Sequence, residues 1–255
     1  MLANLLASPA LGLLVMPGAV LLAAGAPLGL VQPGLLMMDL GCRWVILVAE
    51  QVAGIDGATG VVPSPPPLVL PLLTFGGCLL LLWQGRGRLA GLPVIAMAVW
   101  LWTTAERPPL LVTETGGVMG VLGPEGRALS RATGDGYAVS AWLENDGDGA
   151  TQAEAAERPG IVTEGRVSRA LIGSGTVLLV RGERALAGIQ GCDGAILLIT
   201  DVAEAGPRPC DVLDGRRLQR IGAAAVWPED EGGLRIIGAR EASGDRPWTR
   251  GAVSP

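Results

Sequence analysis

Histidine and lysine are both missing from the 255 residues. Without histidine the chain lacks the commonest metal ligand and the usual general base near neutral pH. A Ser–His–Asp triad is therefore excluded at Ser168 and Ser174. Without lysine, all nineteen basic residues are arginine, and Ala, Gly and Pro are abundant. That bias fits GC-rich coding and a bacterial source. Charge of either sign is scarce, at 17% of residues, while the mean hydropathy is +0.45. An ordinary soluble chain is more polar than this, so a bilayer must take the excess. The N-terminus carries no basic stretch and no small-residue cleavage site, so no cleaved signal peptide is expected.

The scarce charge is also segregated. Up to Thr104 it amounts to Asp39, Arg43, Glu50, Asp56, Arg86 and Arg88, a net of zero. Every other charge follows Ala105, which sets the expected organisation: residues 1–104 a helical membrane region and residues 105–255 a soluble domain. The tail is acidic overall and offers no basic footprint for nucleic-acid phosphates.

Residues 4–31 run without a charge for long enough to cross about 30 Å of hydrocarbon. Pro9, Pro17 and Pro27 punctuate the run, so a kinked or broken span packed in a larger bundle is expected. Residues 32–53 differ. On a wheel of about 100° per residue, Asp39, Arg43 and Glu50 fall within about 40° of one another, and Gln32 joins them. Asp39 and Arg43 are also i,i+4 and can pair. Three readings of this amphipathic helix stay open: it lies at the interface with its charges in water, it turns the stripe to a water-filled path, or it packs on further helices.

Residues 54–67, ending Pro63-Ser64-Pro65-Pro66-Pro67, form a stiff loop. Residues 68–83 and 89–104 are expected as a second and third span, the latter with Trp100 and Trp102 as an interfacial belt. Arg86 and Arg88 make the basic connection between these spans, and the positive-inside rule puts it in the cytoplasm. Residues from Glu106 onward then lie outside, in a periplasm where disulfides persist. Cys192 and Cys210 there are either a bridged pair or two buried thiols.

The tail is a mixed α/β (α+β) pattern. Strands are predicted over residues 110–113, 118–122, 176–180, 195–200, 223–226 and 234–237, with helices over 137–143, 151–158 and 215–220. Asn145-Asp146-Gly147-Asp148-Gly149 has the look of a calcium loop, but Ala150 stands where a ligand should follow and no glutamate occupies the twelfth place, so an acidic turn is expected. Gly116-Gly117 and Gly173-Ser174-Gly175 lack phosphate-loop spacing and read as turns. Asp201, Asp211 and Asp214 are the remaining candidates for a hard cation, and water-facing turn carboxylates are the expectation. No catalytic, cofactor or metal site is assigned.

Asn4-Leu5-Leu6-Ala7-Ser8-Pro9 opening a proline-interrupted span, followed by Pro27-Leu28-Gly29-Leu30, resembles the last part of the transmembrane region of ComEC-type competence (DNA-internalisation) proteins. Val112-Thr113-Glu114-Thr115-Gly116-Gly117 and Gly123-Pro124-Glu125-Gly126-Arg127 resemble the first strands of that family's extracytoplasmic metallo-β-lactamase-like domain. Trp142-Leu143-Glu144-Asn145-Asp146-Gly147-Asp148, Cys192-Asp193, Leu218-Gln219-Arg220-Ile221-Gly222-Ala223 and Gly244-Asp245-Arg246-Pro247-Trp248 are similar to the tail of one branch. The resemblance implies a multi-pass inner-membrane component of a channel passing single-stranded DNA, entered midway at Met1 as a C-terminal part. Its implied partners are the bilayer, single-stranded DNA, other competence proteins or a preceding channel segment, and further copies of itself. The family's zinc nuclease motif is rich in histidine, so the domain is expected to be degenerate and not an enzyme, with no cofactor. The alternative is a membrane-anchored periplasmic binding or assembly module.

Overall fold

A computed structural model of the chain describes residues 2–55, 60–229 and 233–244. Asp56 and the Asp245–Trp248 part of the C-terminal motif lie outside the described residues. The chain divides into two compact units, Met1–Gly60 and Val61–Pro255. The step in charge near residue 105 falls inside the second.

The first unit is a helical hairpin. Its first arm is α1 (Leu2–Ala10), a π-helical turn (Leu11–Val15) and α2 (Met16–Gly25), ending in a 3₁₀ turn. Pro9 lies inside α1 and Pro17 at the start of α2. A proline cannot donate to the carbonyl four residues back, and a π-turn relieves the resulting crowding without ending the rod. Together they make one apolar run, Ala3–Leu28, the one helix among the described residues long and apolar enough to cross a membrane. Gly29, at φ +71°, reverses the chain into α3 (Gln32–Ala53).

The second unit begins with a shorter hairpin, α4 (Val69–Leu82) and α5 (Gly91–Thr103), joined through a 3₁₀ turn at Arg86–Ala90. The prolines before α4 and Gly85, at φ +79°, confine these helices to 14 and 13 residues, roughly 21 and 20 Å. They are therefore shorter than the spans expected at 68–83 and 89–104.

Beyond the hairpin lies a mixed α/β domain of two five-stranded sheets. β1 (Leu110–Val112), β2 (Met119–Gly123), β3 (Gly126–Leu129), β9 (Ala224–Pro228) and β10 (Leu234–Gly238) form an antiparallel sheet in the order β10-β9-β1-β2-β3. The other sheet runs β4 (Ile161–Glu164), β5 (Val167–Ile172), β6 (Gly175–Val180), β7 (Leu197–Thr200) and β8 (Asp211–Leu213). Its first three strands are antiparallel, whereas β6, β7 and β8 run parallel.

Strand alternation explains the layering. Val177 and Leu179 of β6 and Leu197 and Ile199 of β7 meet Leu110, Val112, Met119 and Val121 in a core between the sheets. Leu178, Val180 and Leu198 point the other way, onto α8 (Glu183–Ala187) and its flanks. A strand buried on both faces reads as an unbroken apolar run, as Val177–Val180 does. On the outer face of the first sheet, Val118 and Leu129 pack on Val139, Trp142 and Leu143 of α6 (Gly136–Asp146) and Ala155 of α7 (Gln152–Ala156). Thr151 and Glu154 close a capping box at the start of α7. Short α9 (Gly215–Ile221) adds Leu218 to the central core, and α10 (Ala239–Ser243) follows β10.

Candidate functional site

α3 carries two opposed faces. Gly34, Gly41 and Val48, seven residues apart, are its buried positions. About 180° away on the wheel lie Gln32, Asp39, Arg43 and Glu50, all exposed. The glycine face is the packing face. A Cβ on Gly34 would lie 2.5 Å from the Leu22 nitrogen and 2.8 Å from the Gly18 carbonyl oxygen, and one on Gly41 would meet Val15 and Leu14. Close backbone approach between apolar helices is what small residues provide when no water is present to drive them together. Farther along, the Trp44 indole N–H donates to the Leu6 carbonyl at 3.1 Å, next to the π-turn.

These contacts fix the alignment. As residue numbers rise from Gly34 to Trp44, their partners fall from Leu22 to Leu6, so the arms are antiparallel. Asp39 lies between Met38, which adjoins Gly18, and Gly41, which adjoins Val15. The Ala3–Leu28 run has its midpoint at Val15 and Met16. Asp39 and Arg43 therefore stand at mid-length of the hairpin, while Glu50 stands toward the end where α1 begins.

Asp39 Oδ2 and Arg43 Nε pair at 2.9 Å, with 53% and 77% of their side chains exposed. Leu36, Leu40, Ile46 and Leu47 around them are exposed as well. The surface is an apolar band crossed by a charged line, and its charges meet no other described residue. The sequence pattern announced the stripe; the opposing Gly34, Gly41 and Val48 spacing was the overlooked signal for the hairpin.

The tail's candidate residues serve other ends. Asp146 ends α6 and takes the buried Arg127 guanidinium at 2.6 and 3.2 Å, while Arg127 also donates to the Gly120 and Pro108 carbonyls at 3.2 Å. Asp148 pairs with Arg158, and Asn145 Oδ1 accepts from the Ser64 hydroxyl at 2.7 Å. The Arg158 hydrogen bond, helped by the Ala150 N–H and opposed by burial, holds the Asp148 carboxyl below its ordinary range. The would-be calcium loop is thus spent on arginines and on the proline-rich loop. Gly147, at φ +75°, leaves room for Pro63, against whose ring a Cβ would lie at 2.5 Å.

Asp214 caps α9 through the Arg217 N–H at 2.8 Å, and Asp201 accepts from the Gly182 N–H at 2.7 Å. Among the described residues no cluster of three or more Cys, Asp or Glu could hold a metal ion. Cys192 and Cys210 form a disulfide, with Cα atoms 6.2 Å apart. They precede the neighbouring parallel strands β7 and β8 and tie the start of that pair. Cys42 and Cys78 are free and exposed.

Helices with an apolar run of membrane length, followed by a mixed α/β domain, define a class of membrane-associated proteins. Within it, residues 1–87 match the model of the family described as Competence protein. The match covers both helical arms of the first unit and α4, is consistent with a ComEC-type competence protein, and points to a role in DNA uptake. No curated protein and no solved structure matches the chain.

Proposed function

We propose that this chain is a component of a competence-type DNA-uptake channel in a bacterial inner membrane, with the Asp39–Arg43–Glu50 face of α3 turned to an aqueous path for single-stranded DNA. The observation that carries the reading is the alignment of the hairpin. α3 is 22 residues, roughly 33 Å, and packs along the apolar arm rather than across it. If the arm crosses the bilayer, α3 crosses beside it, and its ion pair lies at mid-depth. A helix lying in the interface does not share this geometry. Charge at the bilayer centre costs about 2.5–3.5 kcal/mol per residue on insertion scales and is retained where it faces water or protein.

The soluble domain fits an extracytoplasmic role of metallo-β-lactamase-like ancestry, supported by its two helix-flanked sheets and by its disulfide, which needs an oxidising compartment. Without histidine it works by binding or assembly rather than by zinc hydrolysis. Partners in this reading are other competence proteins, further channel helices or further copies of the chain. A second reading, a membrane-anchored periplasmic binding or assembly module, is favoured by there being one helix among the described residues both long and apolar enough to cross a membrane.

The test is transformation by a strain whose copy carries D39A, R43A and E50A together, with membrane abundance checked by blotting. A conducting stripe loses uptake at normal abundance. Normal transformation sinks the channel reading and leaves the anchor.

A further inference from the structure

At one pole of the sandwich, β3, β6 and β7 end and β5 begins, and three arginines gather there, none of them in an ion pair with a described residue. Arg181 directly follows β6. Its N–H donates to the Arg166 carbonyl at 3.0 Å, and its Nη2 donates to the Gly165 carbonyl at 3.1 Å. Its Nε is buried with no hydrogen-bond partner, the one such side-chain atom among the described residues. The Arg166 guanidinium lies over Gly182, where a Cβ would come within 2.8 Å of Nη1. Arg131, just past β3, has its guanidinium beside Gly134, and its carbonyl and that of Gly134 are held by Gln152 Nε2 at 3.2 and 2.8 Å. Neither Arg131 nor Arg166 makes a side-chain hydrogen bond or ion pair with any described residue.

The chain has 24 acidic residues and a net charge of −5, so partners for three arginines are not in short supply. The nearest carboxylates are otherwise engaged: Asp201 with the Gly182 N–H, and Asp135 with the Thr113 and Thr115 hydroxyls at 2.8 and 2.6 Å. Burial first, then the Arg131 charge, with Arg166 adding and Asp201 opposing, holds the Arg181 guanidinium below its ordinary value. A local excess of positive charge with an unanswered buried donor is a site arranged for an anion. The planar fork of arginine matches phosphate oxygens better than any point charge.

We propose that Arg131, Arg166 and Arg181 form a binding site for a phosphate oxyanion at this pole of the domain. Such a group comes from the phosphodiester backbone of a nucleic-acid strand or from an anionic phospholipid headgroup. The site does not depend on the α3 stripe, and the stripe can fail its own test without touching this one.

The experiment uses the full chain in a sugar-headgroup detergent, which carries no phosphate. Fluorescence anisotropy follows a labelled oligothymidylate, with inorganic phosphate and dihexanoyl phosphatidylglycerol below its micelle concentration as competitors. R131Q and R166Q should each weaken oligonucleotide binding about tenfold and lower its salt slope by about one. R235Q, whose charge lies over Trp227, should change neither beyond the loss of a distant charge. Arg181 is partly buried, so R181Q is read only beside a melting curve matching the parent. Where the oligothymidylate does not bind, saturable binding of a fluorophore-labelled short-chain phosphatidylglycerol that R131Q and R166Q weaken assigns the headgroup as the source and keeps the site. Equal affinities in parent, R131Q and R166Q overturn the proposal.

Discussion

The Asp39–Arg43 pair of the first unit and the Arg127–Asp146 pair of the second use the same two side-chain types in opposite ways. Arg127 is fully enclosed, and its guanidinium meets both carboxylate oxygens and two backbone carbonyls. Each guanidinium nitrogen has an acceptor, so the pair locks β3 to the end of α6 and offers no chemistry to a ligand. Asp39 and Arg43 meet only each other, on an open face ringed by leucines. Enclosure makes an ion pair a structural fastening; openness in apolar surroundings leaves it looking for water or a partner. Arg158–Asp148, half enclosed, stands between them.

The largest expected effect tests the enclosed end of that contrast. Asp146→Ala orphans the buried Arg127 and should cost about 3–5 kcal/mol in chemical denaturation of the α/β domain. A loss below 1 kcal/mol would mean the pair is not the fastening described. Next, on the proposed crossing, Asp39→Ala leaves Arg43 without its partner, so in a translocon-insertion assay α3 of this variant should carry the cost of one lone charge, about 2.5–3.5 kcal/mol. The D39A/R43A double variant should insert better than D39A. Equal insertion of single and double variants would place the pair in water.

The intermediate pair is read through pH. The Asp148 carboxyl is lowered in the folded chain, so its stabilisation is fully present above the unfolded value of about 3.9 and disappears as pH falls through the lower folded value. Parent and D148N should therefore differ in melting temperature at pH 7, and the gap should shrink as pH falls below the unfolded value of about 3.9. A gap independent of pH would assign the effect to packing. The smallest effect belongs to Arg240–Glu114, an exposed pair at 3.1 Å. Arg240→Ala should change stability by about 0.2–1 kcal/mol, and 0.3 M salt should erase what there is.

Periodicity carried far in the sequence. The stripe, the proline-broken first arm and six of the strands follow from the period of apolar residues, as do the helices over α6, α7 and α9. β3 and β5 escaped because a buried Arg127 and a buried Ser168 interrupt the alternation, each satisfied by a partner that the local sequence does not name. β4 is a largely exposed edge, and β8 has three residues. Net charge is silent on the arginine pole: Arg131, Arg166 and Arg181 lie next to three separate strand ends, and only the sheet order brings them together. The start of α4, its end at Leu82 and the start of α5 at Gly91 fall inside the expected bounds because the loop prolines and Gly85 act through backbone geometry, not hydropathy.

The proline-rich loop ahead of α4 is held at three points. The Pro63 carbonyl accepts from the Trp102 indole at 2.8 Å, the Ser64 carbonyl accepts from Arg107 Nη2 at 2.7 Å, and Ser64 donates from its hydroxyl to Asn145 Oδ1 and from its N–H to the Asn145 carbonyl. Ser64 and Asn145 are 81 residues apart in the chain. On the ribosome, at about 5–20 residues per second, Ser64 emerges several seconds before its partner exists. The α4–α5 hairpin therefore forms while this loop still lacks its Asn145 fastening. The last clasp closes only when α6 has been made and folded, so the timing of synthesis sets the order: helices first, domain second, joint last.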